Sequence, residues 1–164
     1  MTRAVLPTMR KQRSGHIINL SSYAGYMATP GFSFYAASKF AVEGYSEALA
    51  KEVKEFNIRV TIIEPGGFRS DFAGPSLATE KGELVKEYTE VAAKVEGYSA
   101  ARHGKQPNDP EKFGLALCRV VAESDPPLRL PLGEDALSAI REETRQVAAE
   151  LERWAVLSAS TRFD

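Results

Sequence analysis

The chain has 164 residues, 43% apolar and 26% charged, which is the composition of an ordinary folded domain rather than of a disordered or fibrous chain. Its 21 basic and 22 acidic residues are scattered and give a net charge of −1, which excludes nucleic acid and anionic membranes as electrostatic partners. No apolar run approaches the ~18 residues of a membrane span, and no export signal is visible. The single cysteine, Cys118, excludes an internal disulfide and fits a reducing, cytoplasmic location; its apolar helical surroundings predict a buried, inert thiol.

The amino-terminal part of the chain predicts a strand that follows a helix. Residues 1–13 have the pattern of a helix end, with basic side chains gathered where cations favour the negative end of the helix dipole. The apolar run at 17–20 lacks polar alternation and therefore predicts a parallel strand covered on both faces. Ser21 and Ser22 close this strand.

A long helix and a second strand come next. The stretch 33–56 is rich in Ala and Glu and predicts a helix, with Ser33 or a neighbour as its cap. Residues 59–63 predict a buried strand that Pro65 stops, because proline has no N–H to continue a central ladder. The strand, helix, strand order predicts a right-handed βαβ crossover and hence an α/β fold with a parallel sheet.

The remaining half predicts an insertion followed by further α/β elements. Residues 68–107 lack strand signals and carry a polar helical stretch at about 83–95. Asp109-Pro110 is a helix start, and that helix runs to about Glu123. A short strand at 128–130 and a helix at 135–157 complete the chain. No repeat or linker divides it, so residues 1–164 are interpreted as a single domain.

The pair Tyr35 and Lys39 lies four residues apart at the start of the long helix, so both side chains share one helix face. A cation about 4 Å away, in an effective dielectric near 20, favours an ionised phenol by roughly 4 kcal/mol. The spacing alone is weak support for a site. Ser22 and the turn Pro65-Gly66-Gly67, however, both follow strands whose carboxyl ends meet at one edge of a parallel sheet, where ligands bind. The conjunction predicts an acid/base site.

Three segments closely resemble the short-chain dehydrogenase/reductase family: Gly15–Ser22, Tyr35-Ala36-Ala37-Ser38-Lys39 and Pro65–Ser70. The resemblance implies an NAD- or NADP-dependent enzyme that interconverts a small alcohol and a ketone or aldehyde. Ser22 would orient the substrate oxygen, Tyr35 would act as general acid/base, and Lys39 would hold the nicotinamide ribose and favour ionisation of Tyr35. Pro65, Gly66 and Gly67 would lie against the nicotinamide, and Ser70, where the family has threonine, would reach its carboxamide. The resemblance also implies a homo-oligomer.

In that family a glycine-rich turn, an Asn-Asn-Ala-Gly segment and a catalytic asparagine would precede Met1. The resemblance therefore implies the carboxyl-terminal portion of a Rossmann-like, doubly wound parallel sheet, with residues 71–107 as the candidate substrate lid. Two other interpretations stay open: an inactive truncated fragment or self-associating interaction module, and an epimerase or dehydratase with the same triad. A serine hydrolase is excluded because Ser22 lacks the nucleophile-elbow context. His16 and His103 do not make a metal site.

Overall fold

The structure, a computed structural model, describes residues 1–74 and 85–163. Three parallel strands form one sheet in the order β1-β2-β3, and helices flank it. The strands are β1 (Gly15–Leu20), β2 (Ile58–Pro65) and β3 (Arg129–Leu132). The helices are α1 (Thr2–Gln12), α2 (Ser33–Val53), α3 (Thr89–Arg102), α4 (Pro110–Ala122) and α5 (Glu134–Ala159). The predicted α/β class and parallel sheet are confirmed.

Several element boundaries differ from the predicted ones. Ser33 does not cap α2; it is the first helical residue, and the preceding Phe32 offers no side-chain cap. A short 3-10 turn at Lys54–Phe56 continues α2 to the predicted end. The helix predicted at 83–95 is α3, which begins six residues later, at Thr89, and ends seven residues later, at Arg102. Residues 83 and 84 of the predicted stretch lie outside the described residues. By contrast, Asp109 starts α4 as predicted, because its carboxylate accepts the backbone N–H of Glu111 at 2.8 Å.

The best-packed part of the core lies between one face of the sheet and α2. Parallel pairing sets Ile17 of β1 beside Val60 of β2 on that face. Both pack with Leu49 and Val53 of α2, and α1 covers the edge of this cluster with Leu6 and Met9. This cluster holds β1 and β2 against α2, and the two strands and the helix are the elements that carry Ser22, Pro65 and Tyr35.

The opposite face of the sheet is open. Its apolar side chains and those of α4 border a groove, here called the α4 groove, lined by Ile18, Leu20, Ile63, Phe113, Leu117, Cys118 and Val121. Leu20 is 56% exposed there. The prediction that β1 is covered on both faces is therefore wrong for the described residues. The predicted burial of Cys118 is wrong too, because α4 turns Val120 inward and leaves the thiol exposed at the rim of the groove.

A cluster of charged side chains joins β3 to α2 and β2. The guanidinium of Arg129 contacts Glu43 at 3.2 Å, Glu47 at 2.7 Å and Glu64 at 3.7 Å. Glu43 and Glu64 are both buried, and each has one oxygen without a hydrogen-bond partner among the described residues. Burial, followed by the nearby Glu43 carboxylate, raises the pKa of Glu64 to about 7, although Arg129 opposes this change. Arg129 therefore contacts three carboxylates, and two of these are buried inside the protein.

Candidate functional site

The seven residues predicted from the sequence all line one cavity of about 430 Å³. They are Ser22, Tyr35, Lys39, Pro65, Gly66, Gly67 and Ser70. The cavity lies at the carboxyl ends of β1 and β2, beneath α3 and beside the start of α5. Its volume is within the ~300–1,000 Å³ of ordinary small-molecule sites.

Ser22 is held in place by the turn that it begins. Its Oγ accepts a hydrogen bond from the backbone N–H of Ala24 at 3.1 Å, as the cap of a 3-10 turn at Tyr23–Gly25. The residue is 6% exposed. Because this contact uses a lone pair of the hydroxyl, the O–H of Ser22 still has a hydrogen to donate.

Tyr35 and Lys39 lie in the opening turns of α2. Lys39 Nζ donates a hydrogen bond to the carbonyl oxygen of Leu20 at 3.1 Å and lies 5.7 Å from the centre of the Tyr35 ring. Burial lowers the pKa of Lys39, because the ammonium is partly removed from water. The Tyr35 ring packs against Phe72 with ring centres 5.6 Å apart. The end of β1 thus fixes the ammonium, and Phe72 supports the phenol.

The glycine turn after β2 is fastened by a residue that the sequence did not single out. Gly66 N–H donates to the carbonyl oxygen of Leu132 at 2.8 Å, and Gly67 N–H donates to Asp135 Oδ2 at 2.7 Å. Asn108 Nδ2 donates to Asp135 Oδ1 at 2.7 Å and to the carbonyl oxygen of Gly67 at 3.0 Å. A Cβ added at Gly66 would lie 2.3 Å from Asp135 Oδ1. The turn therefore requires glycine at this position for its close approach to Asp135.

The electrostatics of Asp135 follow from these contacts. Partial removal from water raises the pKa of its carboxyl group, but the N–H of Gly67 and the amide of Asn108 outweigh this and leave the pKa below its ordinary value. Asp135 also lies in the first turn of α5, where a negative charge is favourable. The carboxylate is thus a fixed anion against the back of the glycine turn.

Aromatic rings form much of the cavity wall. Phe32 and Tyr98 meet edge to face with their ring centres 5.0 Å apart. The other aromatic rings that line the cavity are those of Tyr23, Tyr35, Phe68, Phe72 and Phe113. Tyr98 and Arg102 lie four residues apart on α3, and both line the cavity. Burial raises the pKa of Tyr23, so its hydroxyl stays protonated over the ordinary pH range. Tyr23 thus contributes a neutral hydroxyl to the wall.

Sequence reasoning missed Gln106, Asn108 and Asp135. Gln106 is 4% exposed, and its Nε2 donates to the carbonyl oxygen of Ser70 at 3.1 Å. The only local signal was the acidic start of α5 directly after the Gly133 turn. Of the predicted lid at 71–107, α3 lines the cavity, whereas residues 75–84 lie outside the described residues.

The arrangement can donate protons and hydrogen bonds to an oxygen held in an apolar cavity. Within the described residues, no three His, Cys, Asp or Glu side chains group as metal ligands. None of the described helices combines the length and the apolar character that a bilayer crossing requires. Gly66 and Gly67 line the cavity, and so does Lys39, whose ammonium is held by the carbonyl oxygen of Leu20. These features fit a nicotinamide nucleotide.

Comparisons with known proteins point to the same family. The family model described as short chain dehydrogenase matches residues 1–81. The chain is 37% identical over 161 residues to oxidoreductase BOA17 of Botryotinia fuckeliana, covering 98% of this chain and 58% of the relative. It is 42% identical over 136 residues to 3-ketodihydrosphingosine reductase of Bacteroides thetaiotaomicron, covering 81% of this chain and 49% of the relative. It thus spans about half the length of these curated relatives.

Solved structures of short-chain dehydrogenases also superpose on this chain. A short-chain dehydrogenase from Streptomyces avermitilis superposes with a TM-score of 0.84 at 38% identity, over 98% of this chain and 57% of that one. Two further family members share the fold at low identity. One has 17% identity and a TM-score of 0.69, over 90% of this chain and 53% of its own. The other has 19% identity and a TM-score of 0.57, over 93% of this chain and 52% of its own. The first, from Burkholderia phymatum, was solved with NAD and the second, from Burkholderia cenocepacia, with NADP. The chain therefore belongs to the short-chain dehydrogenase/reductase family.

Proposed function

We propose that the protein is an NAD- or NADP-dependent oxidoreductase that interconverts an alcohol and a ketone or aldehyde. The observation that carries this proposal is the convergence of Ser22, Tyr35 and Lys39 on the cavity that the glycine turn also borders. The aromatic wall supports an apolar substrate, because aromatic rings exclude water and pack against hydrocarbon. The relative named 3-ketodihydrosphingosine reductase supports reduction of a keto group as one direction of the reaction.

The residues divide the acid/base work between them. A bound nicotinamide supplies the hydride in reduction and accepts it in oxidation. Ser22 donates a hydrogen bond to the substrate oxygen and holds it beside the phenol of Tyr35. In the reductive direction Tyr35 gives its proton to that oxygen, which becomes the alcohol hydroxyl; in the oxidative direction it takes the proton back. Lys39 favours the ionised phenol that forms when the proton has been given.

The cofactor would be held by Lys39 and by the turn after β2. Lys39 would bind the ribose hydroxyls, since its ammonium has donors besides the one used by Leu20. Gly66 and Gly67 would lie against the nicotinamide ring, and Ser70 would reach its carboxamide. Asp135 would support this site through the turn, because it accepts hydrogen bonds from the backbone N–H of Gly67 and from the amide of Asn108.

The test is a matched pair of tyrosine variants in the full-length protein. Tyr35→Phe removes only the phenol oxygen, and Tyr45→Phe makes the same change at an exposed position of α2 outside the cavity. Turnover is followed by the absorbance of the reduced nicotinamide with a panel of apolar ketones. We expect Tyr35→Phe to lose about 10²- to 10⁴-fold in kcat and Tyr45→Phe to lose little. Unchanged turnover in Tyr35→Phe would falsify the mechanism, and product identification separates net redox chemistry from epimerisation or dehydration.

A second candidate is a self-associating interaction module. It is supported by the open edge of β1, which pairs only with β2 among the described strands, and by the open α4 groove. Unpaired strand edges and apolar grooves favour association with a further chain. Light scattering of the 164-residue chain across a dilution series tests this. A monodisperse monomer at every concentration contradicts self-association, whereas dimers without any nucleotide binding would favour the module over the enzyme.

A further inference from the structure

One cationic side chain at the cavity has no part in the proposed chemistry. Among the described residues, two cations line the cavity, Lys39 and Arg102, against one carboxylate, that of Asp135. The carbonyl oxygen of Leu20 holds the Lys39 ammonium, and the glycine turn and Asn108 hold the Asp135 carboxylate. Arg102 is exposed, and no hydrogen bond or ion pair joins its guanidinium to another of the described residues. The cavity wall therefore carries a positive charge that the protein itself does not use.

The rotation of α3 directs Arg102 toward the cavity. Val95, Tyr98 and Arg102 are three and four residues apart, so they share one face of the helix. A Cβ added at Gly31 would collide with Val95, so this face lies directly against the loop before α2. Tyr98 packs edge to face on Phe32 with ring centres 5.0 Å apart. These two contacts fix the rotation of the helix and set Arg102 at the cavity that it lines.

The charge of Arg102 also acts on a hydroxyl group close to the acid/base residue. Burial is the main cause that raises the pKa of Tyr23; the phenols of Tyr98 and Tyr35 raise it further, whereas the Arg102 guanidinium lowers it. Charges act on one another mainly over short distances, so all three groups lie around the Tyr23 hydroxyl. The Tyr35 phenol and the guanidinium therefore border the same part of the cavity.

An apolar cavity with one unused cation is complementary to one kind of substrate. A guanidinium presents its N–H donors in a planar fork that fits the two oxygens of a carboxylate, and such charge-assisted hydrogen bonds are stronger than neutral ones. The aromatic rings of the wall pack against hydrocarbon and keep water away, which strengthens the attraction between opposite charges. The complementary substrate has a reacting oxygen at Tyr35, a hydrocarbon body against the rings and a carboxylate at Arg102.

We propose that Arg102 binds a carboxylate at the far end of the substrate, so that the enzyme acts on apolar oxo or hydroxy carboxylic acids. This inference rests on the proposed function, because it requires the reacting oxygen to lie at Tyr35. Arg102 takes no part in the proton transfer; it favours anionic substrates over neutral ones and aligns the hydrocarbon body along the aromatic wall. Compounds with an ammonium group at the same end are disfavoured, since like charges repel.

The experiment compares acids with their uncharged esters. The ligands are a homologous series of straight-chain oxo acids, each with a methyl ketone at one end and a carboxylate at the other, and the methyl ester of each acid. Dissociation constants are measured by calorimetry with the full-length protein saturated with oxidised NAD or NADP, which cannot reduce a ketone, so no turnover interferes. The variants are Arg102→Met, Arg102→Lys and the control Arg119→Met, at an exposed position of α4 outside the cavity.

We expect the wild-type protein to bind the best-fitting acid about 10-fold more tightly than its ester, because a hydrogen-bonded ion pair is lost in the ester. The preference should fall as the salt concentration rises, since Arg102 is exposed and its charge is screened. Arg102→Met should weaken binding of the acid and leave the ester unchanged. Arg102→Lys should keep a smaller preference, because lysine keeps the charge without the planar fork. Arg119→Met should keep the whole preference.

The other outcomes overturn the proposal in distinguishable ways. Equal binding of acid and ester by the wild-type protein, or binding of neither, shows that the cavity does not select a carboxylate. A preference that survives in Arg102→Met assigns the carboxylate to another group. Weaker nucleotide binding in Arg102→Met with an unchanged preference for the acid assigns the guanidinium to a phosphate of the nucleotide. If the wild-type protein binds no nucleotide, the proposed function itself fails; if it binds nucleotide, failure concerns the substrate class alone.

Discussion

Glu64, the last residue before the Pro65 turn, should make the protein less stable as the pH rises toward neutral. Its carboxyl group is 1% exposed and lies beside the Glu43 carboxylate and the Arg129 guanidinium. Glu47, on the far side of Arg129, has its pKa lowered by hydrogen bonds from Arg129 and Lys51. That carboxylate is therefore ionised throughout and competes with Glu64 for the same cation.

The magnitude follows from the change in proton affinity. A pKa that rises from 4.5 to about 7 on folding corresponds to about 3 kcal/mol. Between these two values the folded state binds the proton more tightly than the unfolded state. The contribution of Glu64 to stability is therefore fully present below pH 4.5 and is lost as the pH rises through about 7. Glu64→Gln mimics the protonated form and should not show this loss.

The measurement is the free energy of unfolding by urea, at a series of pH values, for the wild-type and the Glu64→Gln proteins. Taking the difference between the two removes the titrations that they share. We expect Glu64→Gln to gain about 3 kcal/mol relative to wild type between pH 4.5 and above pH 7. Glu52→Gln, at an exposed position of α2, should show no such trend, and Glu43→Gln should reduce the slope by removing one of its causes.

A constant difference between wild type and Glu64→Gln across that range would refute the reasoning, because it would mean that Glu64 ionises equally easily in the folded and unfolded states. A trend of opposite sign would show that Arg129 outweighs the burial and the neighbouring Glu43.

Gly66→Ala should destabilise the protein by about 1–3 kcal/mol in thermal or urea unfolding, because the added Cβ would meet Asp135 Oδ1 at 2.3 Å. The control is Gly44→Ala in α2, where the added Cβ would have no atom within 4 Å and should stabilise the protein by about 0.5–1 kcal/mol. Equal effects of the two substitutions would contradict the close approach of Gly66 to Asp135. Asp135→Ala should lower the free energy of unfolding by about 1 kcal/mol at neutral pH. This difference from wild type should shrink as the pH falls below 3.8, the ordinary pKa of an aspartate. A difference in unfolding free energy that grows in acid would contradict the lowered pKa of Asp135. Lys39→Met should weaken nucleotide binding, whereas Lys51→Met, on the same helix, should not. Calorimetric titration with NAD(P)H measures the affinity of both variants. If Lys39→Met binds the nucleotide as tightly as Lys51→Met does, Lys39 is not part of the binding site.

The strands and the start of α2 were predictable because their signals are local. The apolar run before Ser22 and the Pro65 stop mark the ends of two strands, and the helix between them follows from composition. Parallel pairing then brings the ends of β1 and β2 to one edge, so the meeting of Ser22, Lys39 and the glycine turn at one cavity could be predicted before any coordinates. The chemical roles of these residues stay predictions.

The supports of the site were not predictable, because they depend on contacts distant in sequence. Asp135 reaches Gly67 across 68 residues, and Gln106 reaches the Ser70 backbone across 36. Both contacts require the placement of β3 beside β2 and the path of the chain after α3, for which the sequence carries no local pattern. The error at Cys118 has a different cause: an apolar stretch in a helix does not say which of its residues face inward, and α4 turns Val120 rather than the thiol toward the sheet.

The position of Cys118 gives the protein a chemical reporter of its own. The thiol is the only one in the chain and lies at the rim of the α4 groove, next to Leu117 and Val121. Any strand, helix or second subunit that fills the groove would shield it from a maleimide, and removal of that cover would expose it again. Its alkylation rate, read by mass spectrometry without any engineered label, therefore measures the fraction of time for which that face of the sheet is covered.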